Sequence, residues 1–119
     1  MCHADTWQRV DLYLIDWSVE TRVSLKPDDV RRTSKFRRTF DKDISEIVRS
    51  LGLDQLVIAK NKDREDARLV IDLFTDNGVR TTYYASSFNL CAADNGLKHP
   101  IDKSFRGRFE GLAKGLKQP

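Results

Sequence analysis

The residues of this chain with the most versatile chemistry are two cysteines, Cys2 and Cys91, and two histidines, His3 and His99. A cysteine or serine nucleophile needs a histidine within hydrogen-bonding distance. His99 precedes a proline in a predicted loop, and no nucleophile or oxyanion spacing accompanies it. The four residues are zinc-type ligands, but they lack the paired short spacings of a structural zinc site. We therefore expect no catalytic residues, no metal and no cofactor, and a protein that is not an enzyme.

Carboxylates also gather in the segment 63–72, in a loose arrangement that would suit Mg²⁺. Lysines and arginines alternate with them between residues 60 and 66. This alternation predicts a solvated loop held by ion pairs rather than a metal site.

Cys2 follows Met1 directly, and this position leaves several interpretations open. The thiols of Cys2 and Cys91 are both free in one of them. In a second, they form a disulfide that closes a loop of about 90 residues and stabilises the fold by up to ~4–5 kcal/mol. In a third, a signal peptide has been removed and Cys2 is lipidated, which would place the protein in the bacterial periplasm. Without that anchor, the cytoplasm is the expected compartment.

A basic segment between residues 31 and 42 is the most distinctive charge feature. It holds six basic side chains against one acidic one: Arg31, Arg32, Lys35, Arg37, Arg38 and Lys42, with Asp41. Two phenylalanines are interleaved, and cationic charge with aromatic surface is the combination that nucleic-acid sites use. Arginine and tyrosine also dominate protein–protein hot spots, and Tyr84 lies in a predicted strand where one of two adjacent tyrosines should be exposed.

Composition limits the classes of protein to which the chain can belong. It has 119 residues, 21 Lys and Arg against 18 Asp and Glu, and a net charge of +3. This length predicts one compact domain, with residues 1–9 as a flexible leader. No apolar run approaches the ~20 residues of a transmembrane helix, so we expect no transmembrane segment. The oligomeric state is not predicted.

The elements that must position these residues follow from apolar periodicity. Alternating residues between Val10 and Leu25 predict a long strand with a bend near Trp17. An Asn-Gly pair between two β-rich runs, residues 67–74 and 79–88, predicts a hairpin. An apolar stripe from Ile44 to Leu51 predicts a helix with Asp43 and Glu46 as its capping pair and Gly52 at its end.

The remainder of the chain completes the expected fold. Residues Leu56 to Ala59 are predicted to form a short buried strand. Residues 30–40 are predicted to form a short helix or an irregular connector, and residues 91–100 are predicted to form a loop. A terminal helix is predicted after Asp102 or Ser104, with glycines at every fourth position, which suggests close approach of its backbone to a sheet. The fold class is thus α+β: an antiparallel sheet of about four strands with helices mainly on one face.

These observations favour a protein-binding inhibitor. We expect an immunity-type protein that neutralises a bacterial toxin or foreign enzyme by occluding its active site. The residues predicted to contact the acidic surface of that partner are Arg31, Arg32, Lys35, Arg37, Arg38 and Tyr84. The alternative is a small RNA- or DNA-binding module that uses the same basic segment, residues 31–42.

Overall fold

The computed structural model describes residues 7–15, 25–53, 55–58, 66–75, 78–86, 89–93 and 97–114. Seven strands and three helices lie in these ranges. The strands are β1 (Trp7–Leu14), β2 (Phe36–Phe40), β3 (Val57–Ile58), β4 (Leu69–Thr75), β5 (Arg80–Ala85), β6 (Asn89–Ala92) and β7 (Leu97–Pro100). The helices are α1 (Pro27–Thr33), α2 (Ile44–Ser50) and α3 (Lys103–Ala113).

All seven strands join one sheet in the order β2-β1-β4-β5-β6-β7-β3, and every pair of neighbours is antiparallel. The α+β class and the single domain predicted from the sequence are confirmed for the described residues. The predicted number of about four strands is too low, because six strands have four or more residues and β3 adds a further two. Most of the difference comes from β6 and β7, which occupy the predicted loop at residues 91–100.

The core lies between the sheet and two helices, α2 and α3. Alternate residues of the central strands face these helices, and they are almost fully buried: Val10, Leu12 and Leu14 on β1, and Leu69, Ile71 and Leu73 on β4. The stripe that was predicted on α2 covers them, together with Phe105, Phe109 and Ala113 of α3. We call this side of the sheet the two-helix face.

A smaller cluster covers the opposite side, which we call the α1 face. Val30 of α1 is fully buried there in a cluster with residues from four strands, Tyr13, Val70, Tyr84 and Cys91. Both faces of β4 are therefore covered between Leu69 and Leu73, which explains why this segment consists of consecutive buried residues.

Local sequence signals agree with two helix ends, the C-terminus of α2 and the N-terminus of α3. Gly52 has a φ of +69°, the left-handed conformation expected after a helix, and the Asp102 carboxylate accepts a hydrogen bond from the Phe105 amide at 2.8 Å. The predicted capping pair at α2 is wrong, because Asp43 itself adopts a left-handed φ of 57° and makes no side-chain cap. Residues 7–9 of the predicted leader belong to β1, and residues 1–6 lie outside the described part of the chain.

Two glycines, Gly78 and Gly107, allow a matched test of the backbone conformations assigned to them. Gly107 lies on the exposed side of α3 with open space where a Cβ would stand, so the predicted close approach to the sheet does not occur at this position. We expect Gly107→Ala to raise the free energy of unfolding by about 0.5–1 kcal/mol. Gly78→Ala, equally unobstructed but at a φ of +77°, should lower it by about 1 kcal/mol. Denaturant unfolding of both variants checks the signs, and equal shifts in one direction would contradict the assignment.

Candidate partner-binding site

The predicted basic segment divides into a helix end and a strand at the edge of the sheet. Pro27 begins α1, whose last turn carries Arg31 and Arg32. After Ser34 the chain becomes extended and forms β2, which pairs with β1 along one side. In the described part of the chain no strand pairs with the other side of β2. Arg37 and Arg38 therefore lie on the edge strand of the sheet as far as the described ranges extend, and charged residues are common on such strands.

Arg37 and Arg38 point to opposite faces of the sheet, and both are exposed. Arg37 stands opposite Tyr13 on the α1 face, with its guanidinium carbon 5.1 Å from the centre of the Tyr13 ring. Arg38 stands opposite Leu12 on the two-helix face, 4.7 Å from the Phe40 ring, and its Nη1 donates to the Leu112 carbonyl at 3.4 Å. Aromatic support holds each side chain extended while its charge stays accessible.

Two lysines extend this charge along the same edge. The Nζ atoms of Lys35 and Lys114 lie 5.7 Å and 4.8 Å from the centre of the Phe36 ring, and both residues are exposed. Lys114 also reaches Glu110 at 3.5 Å, an exposed pair that contributes little to stability. We call the four cations Lys35, Arg37, Arg38 and Lys114 the basic edge.

Arg31, by contrast, is turned inward. Its Nε and Nη2 donate to the two carboxylate oxygens of Asp72, both at 2.8 Å, and Nη2 also donates to Thr82 Oγ1 at 3.0 Å. Its Nη1 pairs with Asp28. Only 16% of the Arg31 side chain is exposed, and the Asp72 hydrogen bonds raise its pKa further above the ordinary value. The Arg31 side chain thus fastens α1 to the sheet and is not part of the basic edge.

Arg32 and Tyr84 have different surroundings from those that the sequence predicts. Arg32 is exposed and pairs with Asp29 one helical turn earlier. The Lys26 amide and Arg32 hold the pKa of the Asp29 carboxyl below its usual range. Tyr84 is buried on the α1 face with Val70, so its ring is not available to a partner at the surface. Of the six residues predicted to contact a partner, only Arg32, Lys35, Arg37 and Arg38 are exposed.

A polar row crosses the α1 face, with Asp11, Asp72 and Thr82 buried and Thr39 exposed, and the row as a whole was not predicted from the sequence. Antiparallel register aligns Thr39, Asp11, Asp72 and Thr82 on four adjacent strands. The Thr39 hydroxyl donates to Asp11 Oδ1 at 2.8 Å, and the Thr82 hydroxyl donates to Asp72 Oδ1 at 2.7 Å. The Asn-Gly hairpin predicts the pairing of Asp72 with Thr82, but the alignment of Asp11 with Asp72 joins strands distant in sequence.

The next row toward the open end of the α1 face carries Arg9, Phe74 and Arg80. The Arg9 guanidinium carbon lies 4.1 Å from the centre of the Phe74 ring, and its Nε is 3.4 Å from Asp11 Oδ1. Arg9 and Arg80 are exposed. This row is a second, smaller cationic surface, separated from the basic edge by the polar row.

Tyr13 reports on the electrostatics of the α1 face. Burial, and next the Asp11 carboxylate, raise the pKa of its phenol, and Arg37 opposes this shift. We expect the phenol to ionise above the ordinary tyrosine pKa of about 10. Because the folded pKa is the higher one, the stability that Tyr13 contributes is complete below pH ~10 and is lost as pH rises through the folded pKa. Ultraviolet absorbance titrations of the wild type and Tyr13→Phe isolate this step; a Tyr13 transition at or below pH ~10 would contradict it.

Cys91 and His99, which could have formed a nucleophile–histidine pair, do not meet. His99 is opposite Leu90 on the neighbouring strand, whereas Cys91 is opposite Lys98, so Cys91 and His99 point to opposite faces of the sheet. His99 is exposed and lines a cleft of about 140 Å³ with Arg49 and Arg108. Arg108 is engaged there, since its Nε donates to the Ser50 carbonyl at 3.0 Å.

Several other predicted features involve residues outside the described ranges. Cys2 is one of them, so its lipidation or its bridge to the buried Cys91 stays a prediction. Asp63 and Glu65 also lie outside, whereas Asp66 accepts a hydrogen bond from the Leu25 amide at 2.5 Å. Within the described ranges, no three histidine, cysteine or acidic residues gather closely enough to hold a metal ion. Across these same ranges, no helix combines the length and apolarity that a membrane crossing requires.

Comparison with known proteins adds no relative to this description. No protein-family model, curated protein or solved structure matches the chain.

Proposed function

We propose that this protein is a non-enzymatic, immunity-type inhibitor that binds an acidic surface of a toxin or foreign enzyme and occludes its active site. The observation that carries the proposal is the basic edge, in which four exposed cations line one open side of the sheet. Arg32, exposed on α1, adds a fifth cation nearby in sequence. A cationic strip of this kind steers an acidic partner and fixes its orientation.

The way these side chains are held supports tight binding. Arg37 and Arg38 each rest on an aromatic ring, and Arg38 also donates to the backbone of α3. Long side chains that are ordered before binding lose less conformational entropy when a partner arrives. Because an arginine fork matches a carboxylate in geometry, such side chains favour acidic groups as partners.

The same contacts favour a protein over a single-stranded nucleic acid as the partner. Single-stranded sites stack successive bases on exposed aromatic faces. Here Phe36 and Phe40 are half-buried against the core, and Tyr13 is buried beneath Arg37. The aromatic surfaces within the basic segment already have protein neighbours, so few are available to bases.

The experiment is capture followed by inhibition. The immobilised protein should retain an acidic enzyme from a lysate of the native host at about 50 mM salt and release it at high salt. When the two are recombined, the activity of that enzyme should fall to zero at a 1:1 ratio, in competition with its substrate. Binding without inhibition, or inhibition that substrate does not relieve, would contradict occlusion.

Binding of oligonucleotides tests the alternative function, a nucleic-acid-binding module. We expect no binding of single-stranded RNA or duplex DNA in fluorescence anisotropy at about 50 mM salt. If they bind, and the logarithm of affinity falls linearly with the logarithm of salt concentration, the protein is a nucleic-acid-binding module instead.

A further inference from the structure

A groove lies beside the C-terminal end of β2. It has a volume of about 300 Å³ and is lined by Phe40, Ile47 and Leu112, with Lys42, Asp43 and Glu46 among its polar residues. Phe40 belongs both to the open strand and to the groove. Phe36, Arg38 and Phe40 are alternate residues of β2, so all three side chains lie on the two-helix face. The groove at Phe40 is therefore on the same face as Arg38.

Within the described part of the chain, one side of β2 pairs with no strand, so its backbone groups are available to a further strand. An edge strand directs alternate N–H and C=O groups away from its sheet, and an extended segment of another protein can pair with them. In such complexes the backbone pairing provides affinity, and pockets for alternate side chains provide specificity. Here the edge of β2 would provide the backbone pairing, and the groove at Phe40 and the cations at 37 and 38 would contact the alternate side chains.

We propose that β2 binds an extended acidic segment of the partner as an eighth, antiparallel strand, with one apolar side chain of that segment in the groove. This inference rests on the proposed function and names the element of the partner that is recognised. The register follows from β2: acidic side chains opposite Arg37 and Arg38 would emerge on opposite faces, and the apolar side chain would lie opposite Phe40. Directly opposed charges of opposite sign stabilise a strand pair.

The positive charge of β2 also indicates whether a second copy of this protein or an acidic partner strand pairs with this edge. If β2 of a second copy paired here in antiparallel register over residues 36–40, Arg38 of one chain would stand directly opposite Arg38 of the other. Like charges opposed across a strand pair are destabilising. The basic edge therefore disfavours self-association and favours an acidic strand.

A labelled peptide with the core Leu-Thr-Glu-Glu-Thr tests the proposal, because in antiparallel pairing its leucine lies opposite Phe40 and its glutamates opposite Arg38 and Arg37. Two N-methylated versions, methylated at alternate residues in the two possible phases, probe the backbone pairing. We expect one version to lose at least about tenfold in affinity and the other to bind like the parent, since only alternate peptide amides face β2. Replacing the leucine by alanine, or reversing the core sequence, should also weaken binding by about tenfold.

Protein variants complete the design. Arg37→Glu/Arg38→Glu should abolish peptide binding, while Arg80→Glu/Lys103→Glu, which makes the same change in net charge elsewhere, should leave most of it. No binding of the parent peptide, or equal binding of both N-methylated versions, would overturn strand addition. If a captured enzyme is still inhibited in that case, the proposed function survives alone. If the peptide binds as expected but no enzyme is inhibited, the proposed function fails and the strand site stands.

Discussion

Replacing Asp72 by alanine is expected to lower the free energy of unfolding by about 3–5 kcal/mol. Only 1% of the Asp72 side chain is exposed, and its carboxylate accepts two hydrogen bonds from Arg31 and one from Thr82. Without it, the largely buried Arg31 guanidinium loses its main counter-charge. Urea denaturation measures the change, and a loss below about 1 kcal/mol would contradict the role of this pair as the attachment of α1.

Two further variants separate the buried pair from ordinary charge effects. Asp28 contacts the same arginine, but 83% of its side chain is exposed, so Asp28→Ala should cost about 1 kcal/mol or less. Adding Arg31→Met to Asp72→Ala should recover part of the loss, because the double variant no longer buries an unpaired charge. Additive losses in the double variant would show that Arg31 and Asp72 do not act as a pair.

Reversing both charges on β2, with Arg37→Glu/Arg38→Glu, is expected to weaken binding of the captured partner by at least about 100-fold, which corresponds to about 2.7 kcal/mol. The free energy of unfolding should change by only about 0.5–1 kcal/mol, since both side chains are exposed and lose mainly their aromatic contacts. Calorimetric titration of the partner into each variant measures the affinity.

The matched control for this prediction is Arg80→Glu/Lys103→Glu. Both residues are exposed, and neither belongs to the basic edge. The control variant should bind within about threefold of the wild type at physiological salt, where charges distant from the interface are largely screened. Equal losses in both variants would mean that net charge, rather than the basic edge, governs binding.

Local chemistry made much of the fold predictable. The Asn-Gly hairpin between β4 and β5, the apolar stripe of α2 and the Asp102 cap of α3 each depend on residues close together in sequence. Segments with weak periodicity were not predictable. Phe36–Phe40 has few apolar residues and becomes a strand because it pairs with β1, and Asn89–Ala92 is a short strand between two others.

The candidate site was likewise predictable from the sequence only in part. The concentration of positive charge at residues 31–42 is visible in the sequence, and part of it lines an open edge of the sheet. The sequence does not distinguish Arg31 from Arg32, because the carboxylate that draws Arg31 inward lies 41 residues away. Tyr84 was predicted at the surface on alternation alone, but α1 covers the face to which it points. Long-range packing decided both outcomes.

Amide chemical-shift mapping tests the central claim most directly. When the captured partner is titrated into ¹⁵N-labelled protein, we predict that the largest changes occur in β2 and at Lys35 and Lys114, while Arg9, Phe74 and Arg80 change little. Changes centred on those three residues, or on the cleft beside His99, with the amides of β2 unaffected, would contradict the claim that the basic edge is the binding surface.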